Sequence, residues 1–381
     1  MRTMVDTTTA GGPDLAPVTS DFSAYIIAGA VSSDPSKFER DTEGRTPAQG
    51  IQDGVDAERL GFRRVFISER WDLKEADVIL AGIGAKTTRL ELVTGIIVPT
   101  TRHPWMVAAL GATMQSCFGP RFVLGLGRGE TGAFRGMGIE MAKFKSMVDS
   151  ARITRRLWAG ESVAYDGQLG TFDALQSHET YHGPQPPIWI AGFCHEKGAA
   201  VAAEAFDGVI LPPMITPDAT AAAVGRIRRA CERIDRDPGG IRVVQPVVTA
   251  PEMDDFEARS ISTGRLVTYL QYPYYGDVLA RANAWDPETV QQMRHHPQLT
   301  SAPRVGDLTY HRHQMVEGPG SVIPWSWVQD CSAVGTVDEC VTSLQRFIDA
   351  GADEVTTYGS TPRQNSALIE AWRKRPEAPG E

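Results

Sequence analysis

Eight apolar runs of strand length alternate along this chain with stretches that show helical spacing of apolar residues. That rhythm constrains the fold more than any other feature. The strand-like runs are 24–31, 64–68, 90–98, 121–127, 186–192, 207–213, 241–250 and 353–359. Between them the helical pattern recurs over 47–62, 76–87, 103–118, 141–160, 197–206, 217–236 and 338–351. Gly61 is placed to cap the first helix, and Pro104 falls in the first turn of another. Near-continuous apolar strands alternating with helices predict parallel strands covered on both faces. A count of eight favours closure into a (β/α)8 TIM barrel over an open sheet.

Two segments break the rhythm. "SVAYDGQLGTFDAL" (162–175) alternates around a turn and predicts a hairpin. The stretch 252–335 is rich in Tyr, His, Pro and Trp and predicts a long, loop-rich insertion between strands 7 and 8, lying over the active end. The expected organisation is a disordered tail over 1–20, one barrel domain over 21–365 carrying that insertion, and a second tail over 366–381.

Composition narrows the function. A net charge of −9 with no basic stripe argues against a nucleic-acid partner. No apolar run is long enough to span a bilayer, and five scattered cysteines without a C-x-x-C pair do not form a secreted disulfide framework. A cytoplasmic protein acting on a small-molecule substrate is expected.

In a parallel barrel the active site lies at the C-terminal ends of the strands. Three strand ends carry unusual residues. "VFISERWD" (65–72) runs from a buried strand directly into Glu69, Arg70, Trp71 and Asp72. "VTGIIVP" (93–99) places Gly95 inside a β-branched strand, a mark of a bulge or a close backbone approach. "LGLGRGETG" (124–132) satisfies G-x-G-x-x-G with Gly127, Gly129 and Gly132. A dinucleotide-binding fold needs that motif at its first strand–helix turn, whereas three strands precede it here. The glycines still offer backbone N–H groups and room for a flat ligand. His295, His296, His311 and His313 follow no metal-binding spacing and read as aromatic packing.

Four stretches taken together resemble the bacterial-luciferase-like oxidoreductases, specifically their coenzyme F420-dependent branch. They are "AERLGFRRVFISE", "TTRLELVTGIIVPTTRHPWMVAALGATMQSCFGPRFVLGLGRGE", "LWAGESVAYDGQLGTFDAL" with the following "PPIWIAGF" and "AAEAFDGVI", and "VGTVDECVTSLQRFIDAGADEV". The resemblance implies a (β/α)8 barrel with an insertion before its last strand. It implies a cis Gly95–Ile96 peptide behind the deazaflavin ring. Gly127, Arg128 and Gly129 would line the ring, with Glu130 beside them as a candidate proton donor. Ala191, Gly192 and Phe193 would hold the cofactor phosphate through backbone amides. Glu69 falls on a cofactor-side position.

Arg70 stands where alcohol and sugar-phosphate dehydrogenases of this branch carry His. A guanidinium stays protonated and is no general base, so the reductase direction is favoured, with Arg70 as a fixed positive charge. The resemblance leaves two other readings open: an FMN-dependent monooxygenase, and a non-catalytic cofactor-binding barrel. A homodimer and no metal are expected.

Overall fold

The computed structural model describes residues 15–27, 45–70, 74–129, 136–302 and 310–375. Eight strands close the barrel: β1 (Phe22–Tyr25), β2 (Arg64–Ile67), β3 (Glu91–Thr94), β4 (Phe122–Leu126), β7 (Ile188–Ala191), β8 (Gly208–Ile210), β9 (Arg242–Pro251) and β11 (Glu354–Tyr358). All neighbouring pairs are parallel, and the β8–β9 and β11–β1 pairings complete the ring. The expected hairpin is present as β5 (Val163–Gly167) and β6 (Gly170–Leu175).

Strand alternation sorts the side chains. Phe66, Val93, Val123, Trp189, Ile210 and Val244 face inward and fill the barrel. Val65, Leu92, Leu124 and Ile188 belong to the larger outer core shared with the helices. Helix ends are set by local chemistry. The helix Pro47–Leu60 starts at a Thr46 capping box and stops at Gly61, whose φ of 83° is the left-handed region that glycine adopts without penalty. Thr336 and Glu339 form a second capping box, on the helix Val337–Asp349.

Several expectations need correction. The first strand begins earlier than 24–31, at Phe22, because Phe22 packs inside the protein against Phe62 and Trp372; residues 28–31 lie outside the described set. The stretch 252–335 is mostly helical rather than loop-rich, with helices over Asp255–Leu270, Pro273–Ala282, Pro287–Arg294, Pro297–Thr300, Arg312–Glu317 and Trp325–Cys331. The prolines that read as loop punctuation sit at the first positions of three of these helices, where the missing N–H costs nothing. The stretch closes with β10 (Ser332–Gly335), which pairs with the second half of β9 while β11 pairs with the first.

Neither tail extends as far as composition implied. Residue Ala16 donates its N–H to Arg59 at 3.0 Å and Thr19 is buried. Residues Ser366–Lys374 form a helix whose Trp372 is fully buried and donates to Asp21 at 3.0 Å. Apolar residues spaced along that helix bury one face, and the basic cluster that suggested fraying lies at its end.

The barrel interior holds a charge at its N-terminal end. Arg64 is 1% exposed and lies over the Trp189 ring at 4.7 Å. Its guanidinium meets Glu91 at 2.9 Å and Glu354 at 3.4 Å. Glu354 is fully buried and also accepts from Ser23 and, at 2.7 Å, from Arg242. Glu354→Ala strands two cations around an empty site, and such losses typically cost about 3–5 kcal/mol. A corresponding drop in urea midpoint is expected; an unchanged midpoint would show that water replaces the carboxylate without cost.

Candidate active site

At the opposite end the strands lead into a crevice. Their inner residues are buried, but Tyr25, Ser68, Ile96, Arg128, Ala191, Gly192, Phe193 and Tyr358 all keep part of their surface open. Each follows or closes a barrel strand, so the opening is a property of the C-terminal face. Helix Asp255–Leu270 and helix Pro273–Ala282 contribute Arg265, Tyr269 and Tyr275 above it.

The floor is built on β3 and β4. The Gly95–Ile96 peptide is cis. Tyr25 donates its hydroxyl hydrogen to the Gly95 carbonyl, and a Cβ on Gly95 would stand 3.0 Å from that hydroxyl. Gly127 is required by close approach: a Cβ there would lie 2.4 Å from Ile96 Cδ1. Gly129 has φ 81°, which turns the chain away after Arg128. Gly95, Ile96 and Gly127 are therefore brought together, as the resemblance implied. Glu130, Trp71, Asp72 and Gly132 lie outside the described residues.

A cationic corner adjoins this floor. Arg128 stacks over Phe144 at 4.1 Å and donates to the Ala142 carbonyl at 2.7 Å. Lys197 lies 5.4 Å above the same ring, and His195 meets its edge at 5.5 Å. Arg226 donates to the Cys194 carbonyl at 2.7 Å. Burial, then the charges of Arg128, Arg226 and Lys197, push the His195 pKa down. The corner forms where the helix Glu196–Ala205 begins, so the backbone dipole adds to a field suited to an anion. The expected amide cradle over Ala191–Phe193 is only partly available. Gly192 N–H is engaged by the Ile210 carbonyl at 3.1 Å as the ladder continues beyond β7. Open space does border Gly192, since a Cβ there would meet nothing within 4 Å.

Strand parity relocates the second strand's acid. Ser68 faces the crevice and hydrogen-bonds Tyr25, whereas Glu69 is 7% exposed and turns outward. Glu69 is paired with Arg102 rather than Arg70, and Arg102 also binds Glu75 at 2.5 Å and Asp77. Glu69 touches the floor through its N–H, which donates to Ile96 O at 3.4 Å. Arg70 forms a backbone bridge with Lys74. The sequence reading placed the segment from Ser68 at the pocket but missed Tyr25, Tyr269, Tyr275, Tyr358 and the Lys197–Arg226 corner. The final tyrosines of "FSAY" and "EVTTY" were the available signal, since a residue closing a barrel strand reaches the mouth.

The C-terminal end of the parallel eight-stranded barrel thus brings together glycines, aromatic rings and a cationic corner. The chain belongs to the luciferase-like monooxygenase family, whose model matches residues 31–354. It is 24% identical over 78% of its length to a 5,10-methylenetetrahydromethanopterin reductase of Methanolobus tindarius, covering 86% of that protein. It is 31% identical to an F420-dependent glucose-6-phosphate dehydrogenase of Microbacterium testaceum over 40% of this chain and 49% of that one. The fold matches the F420-dependent tetrahydromethanopterin reductase of Methanopyrus kandleri with a TM-score of 0.72 at 19% identity, over 93% of this chain and 97% of that one. Among the described residues no helix is long and apolar enough to cross a membrane.

One guanidinium serving three carboxylates leaves the most buried acid short of charge. Burial, helped by the charges of Glu75 and Asp77, raises the Glu69 pKa to about 7 against the pull of Arg102. The folded state then holds a proton that the unfolded chain has released, so stability falls as pH rises from about 4.5 through about 7. Glu69→Gln should flatten this dependence, measured as melting temperature at about pH 5 and about pH 8. An identical slope in both proteins would place Glu69 ionised throughout.

Proposed function

We propose that the chain is a coenzyme F420-dependent oxidoreductase that reduces a small organic substrate. The observation that carries this reading is the cationic corner of Arg128, Lys197, Arg226 and His195 beside the open flank of Gly192. It suits a cofactor with an anionic tail, and the Gly95–Ile96 and Gly127 floor suits a flat ring. The F420-dependence named for the relatives above supports the same assignment. When bound, the reduced deazaflavin supplies a hydride.

The chain's own residues then divide the work. Arg128 and Lys197 hold the anionic tail, the floor sets the ring's face, and the helices over the mouth exclude water. Arg70, adjoining the crevice residue Ser68, supplies fixed positive charge near the mouth. The reductase direction rests on Arg70, whose fixed charge cannot act as the base that alcohol oxidation needs. Burial pushes the pKa values of Tyr25, Tyr269 and Tyr275 up, so their hydroxyls stay protonated.

Fluorescence titration with F420 and with FMN tests the cofactor. F420 is expected to bind and FMN to bind far more weakly; the reverse order would favour the monooxygenase reading. Arg128→Ala removes a charge-assisted contact worth about 1.5–3 kcal/mol, so F420 affinity should fall by roughly 10–100-fold. Gly192→Val fills the open flank and should weaken F420 binding while leaving the melting temperature unchanged. Wild-type affinity in both variants would move the cofactor elsewhere.

A further inference from the structure

Four tyrosines form an arc over the crevice. Tyr25 meets Tyr358 edge-on at 4.8 Å, Tyr269 stacks on Tyr275 at 5.4 Å, and Tyr275 tilts against Phe193 at 4.9 Å. The arc is joined at its centre by a hydrogen bond of 2.7 Å between the Tyr269 and Tyr358 hydroxyls. The Arg265 guanidinium lies over the Tyr358 ring at 5.1 Å. Aromatic walls need no such arrangement. Phenylalanine would pack as well without requiring two hydroxyls to be satisfied inside a crevice.

We propose that Tyr269 is the acid that protonates the substrate as it is reduced, with Tyr358 replacing that proton and Arg265 stabilising the charge left behind. This rests on the reductase reading above. In a bonded hydroxyl pair, one O–H is spent on the partner and the other is left to point elsewhere. Either hydroxyl can donate within the pair; in the arrangement where Tyr358 donates, with Arg265 over its ring, the Tyr269 proton is directed onward. Tyr269 stands on the helix Asp255–Leu270, and its partner Tyr358 lies edge-on to Tyr25, which bonds the Gly95 carbonyl of the floor. A substrate held between Tyr269 and that floor would receive hydride from one side and a proton from the other.

The balance is complete. Reduced deazaflavin, when bound, would supply a hydride to an electrophilic substrate carbon and release its own ring proton to water. The adjacent π bond opens onto its heteroatom or conjugated oxygen, which takes the Tyr269 proton. Tyr269 oxygen takes the Tyr358 proton. The phenolate left on Tyr358 sits under Arg265 and regains a proton from water. The substrate class is therefore a polarised double bond, such as a carbonyl, an imine or an unsaturated ketone. The groups facing Tyr269 are Tyr358 on β11, Tyr275 on the neighbouring helix and Arg265 on its own helix. Tyr269 is the catalytic residue; Tyr358 and Arg265 act through it as positioning residues.

The test uses the full chain with Tyr269→Phe, Tyr358→Phe and Arg265→Met, and F420 affinity is measured for each. Tyrosine ionisation is first followed by NMR of carbon-labelled tyrosine without cofactor. Tyr358→Phe and Arg265→Met are each expected to shift the Tyr269 titration. A Tyr269 titration unmoved by either change would overturn the relay. Oxidation of reduced F420 by cyclohexenone is then measured across pH. Tyr269→Phe is expected to slow it by about 10²–10⁴-fold, the range for a lost general acid, at unchanged F420 affinity. Tyr358→Phe and Arg265→Met are expected to shift the pH profile with smaller losses. Wild-type rate and profile in Tyr269→Phe would overturn the assignment. Failure of the wild-type chain to bind F420 would instead overturn the reading of function, independently of the titrations.

Discussion

The buried contact between Arg64 and Glu354 organises this barrel. A charge 1% exposed inside a ring of parallel strands is tolerated only because carboxylates meet it and an indole face covers it. Ser23, Arg242 and Glu91 bring β1, β9 and β3 into the same network. The N-terminal end of the interior is thereby occupied by charged groups, and the middle by Phe66, Val93, Val123, Trp189, Ile210 and Val244. With that volume occupied, space for a ligand remains at the C-terminal mouth.

That division explains why the site is assembled from strand ends and helices far apart in sequence. Tyr25 and Tyr358 belong to strands separated by most of the chain yet adjacent in the ring. Tyr269 and Tyr275 come from the helices between β9 and β10, a region whose prolines start helices instead of loops. The cationic corner arises because the β7 end, the start of the following helix and Arg226 of the next helix converge beside Phe144. Each corner residue is solvent-compatible alone; together they concentrate positive charge beside one ring.

Charge outside the mouth has a separate logic. Glu69, Glu75 and Asp77 share Arg102, so the charged end of "VFISERWD" divides between two faces. Ser68 supports the crevice through Tyr25, whereas Glu69 anchors the outer side of the floor. The Glu69 backbone therefore meets the floor from behind, while its carboxylate turns to Arg102.

The sequence by itself determined the barrel, because alternation of buried strands with amphipathic helices is a local pattern and eight repeats close on themselves. It also determined the glycine floor. Gly95 inside a β-branched strand and Gly127 at the next strand end are anomalies visible without coordinates. Tertiary structure decided what pairing and parity control. Whether Glu69 or Ser68 faces the mouth turns on a one-residue phase, and a run of five consecutive polar or aromatic residues carries no record of that phase. Whether residues 366–374 fray or dock depended on a hydrophobic seat formed by Phe22, which lies at the other end of the chain. The hydroxyl pair of Tyr269 and Tyr358 spans 89 residues. No local pattern encodes such a contact, since it exists only once the ring has closed and the helices have settled over its mouth.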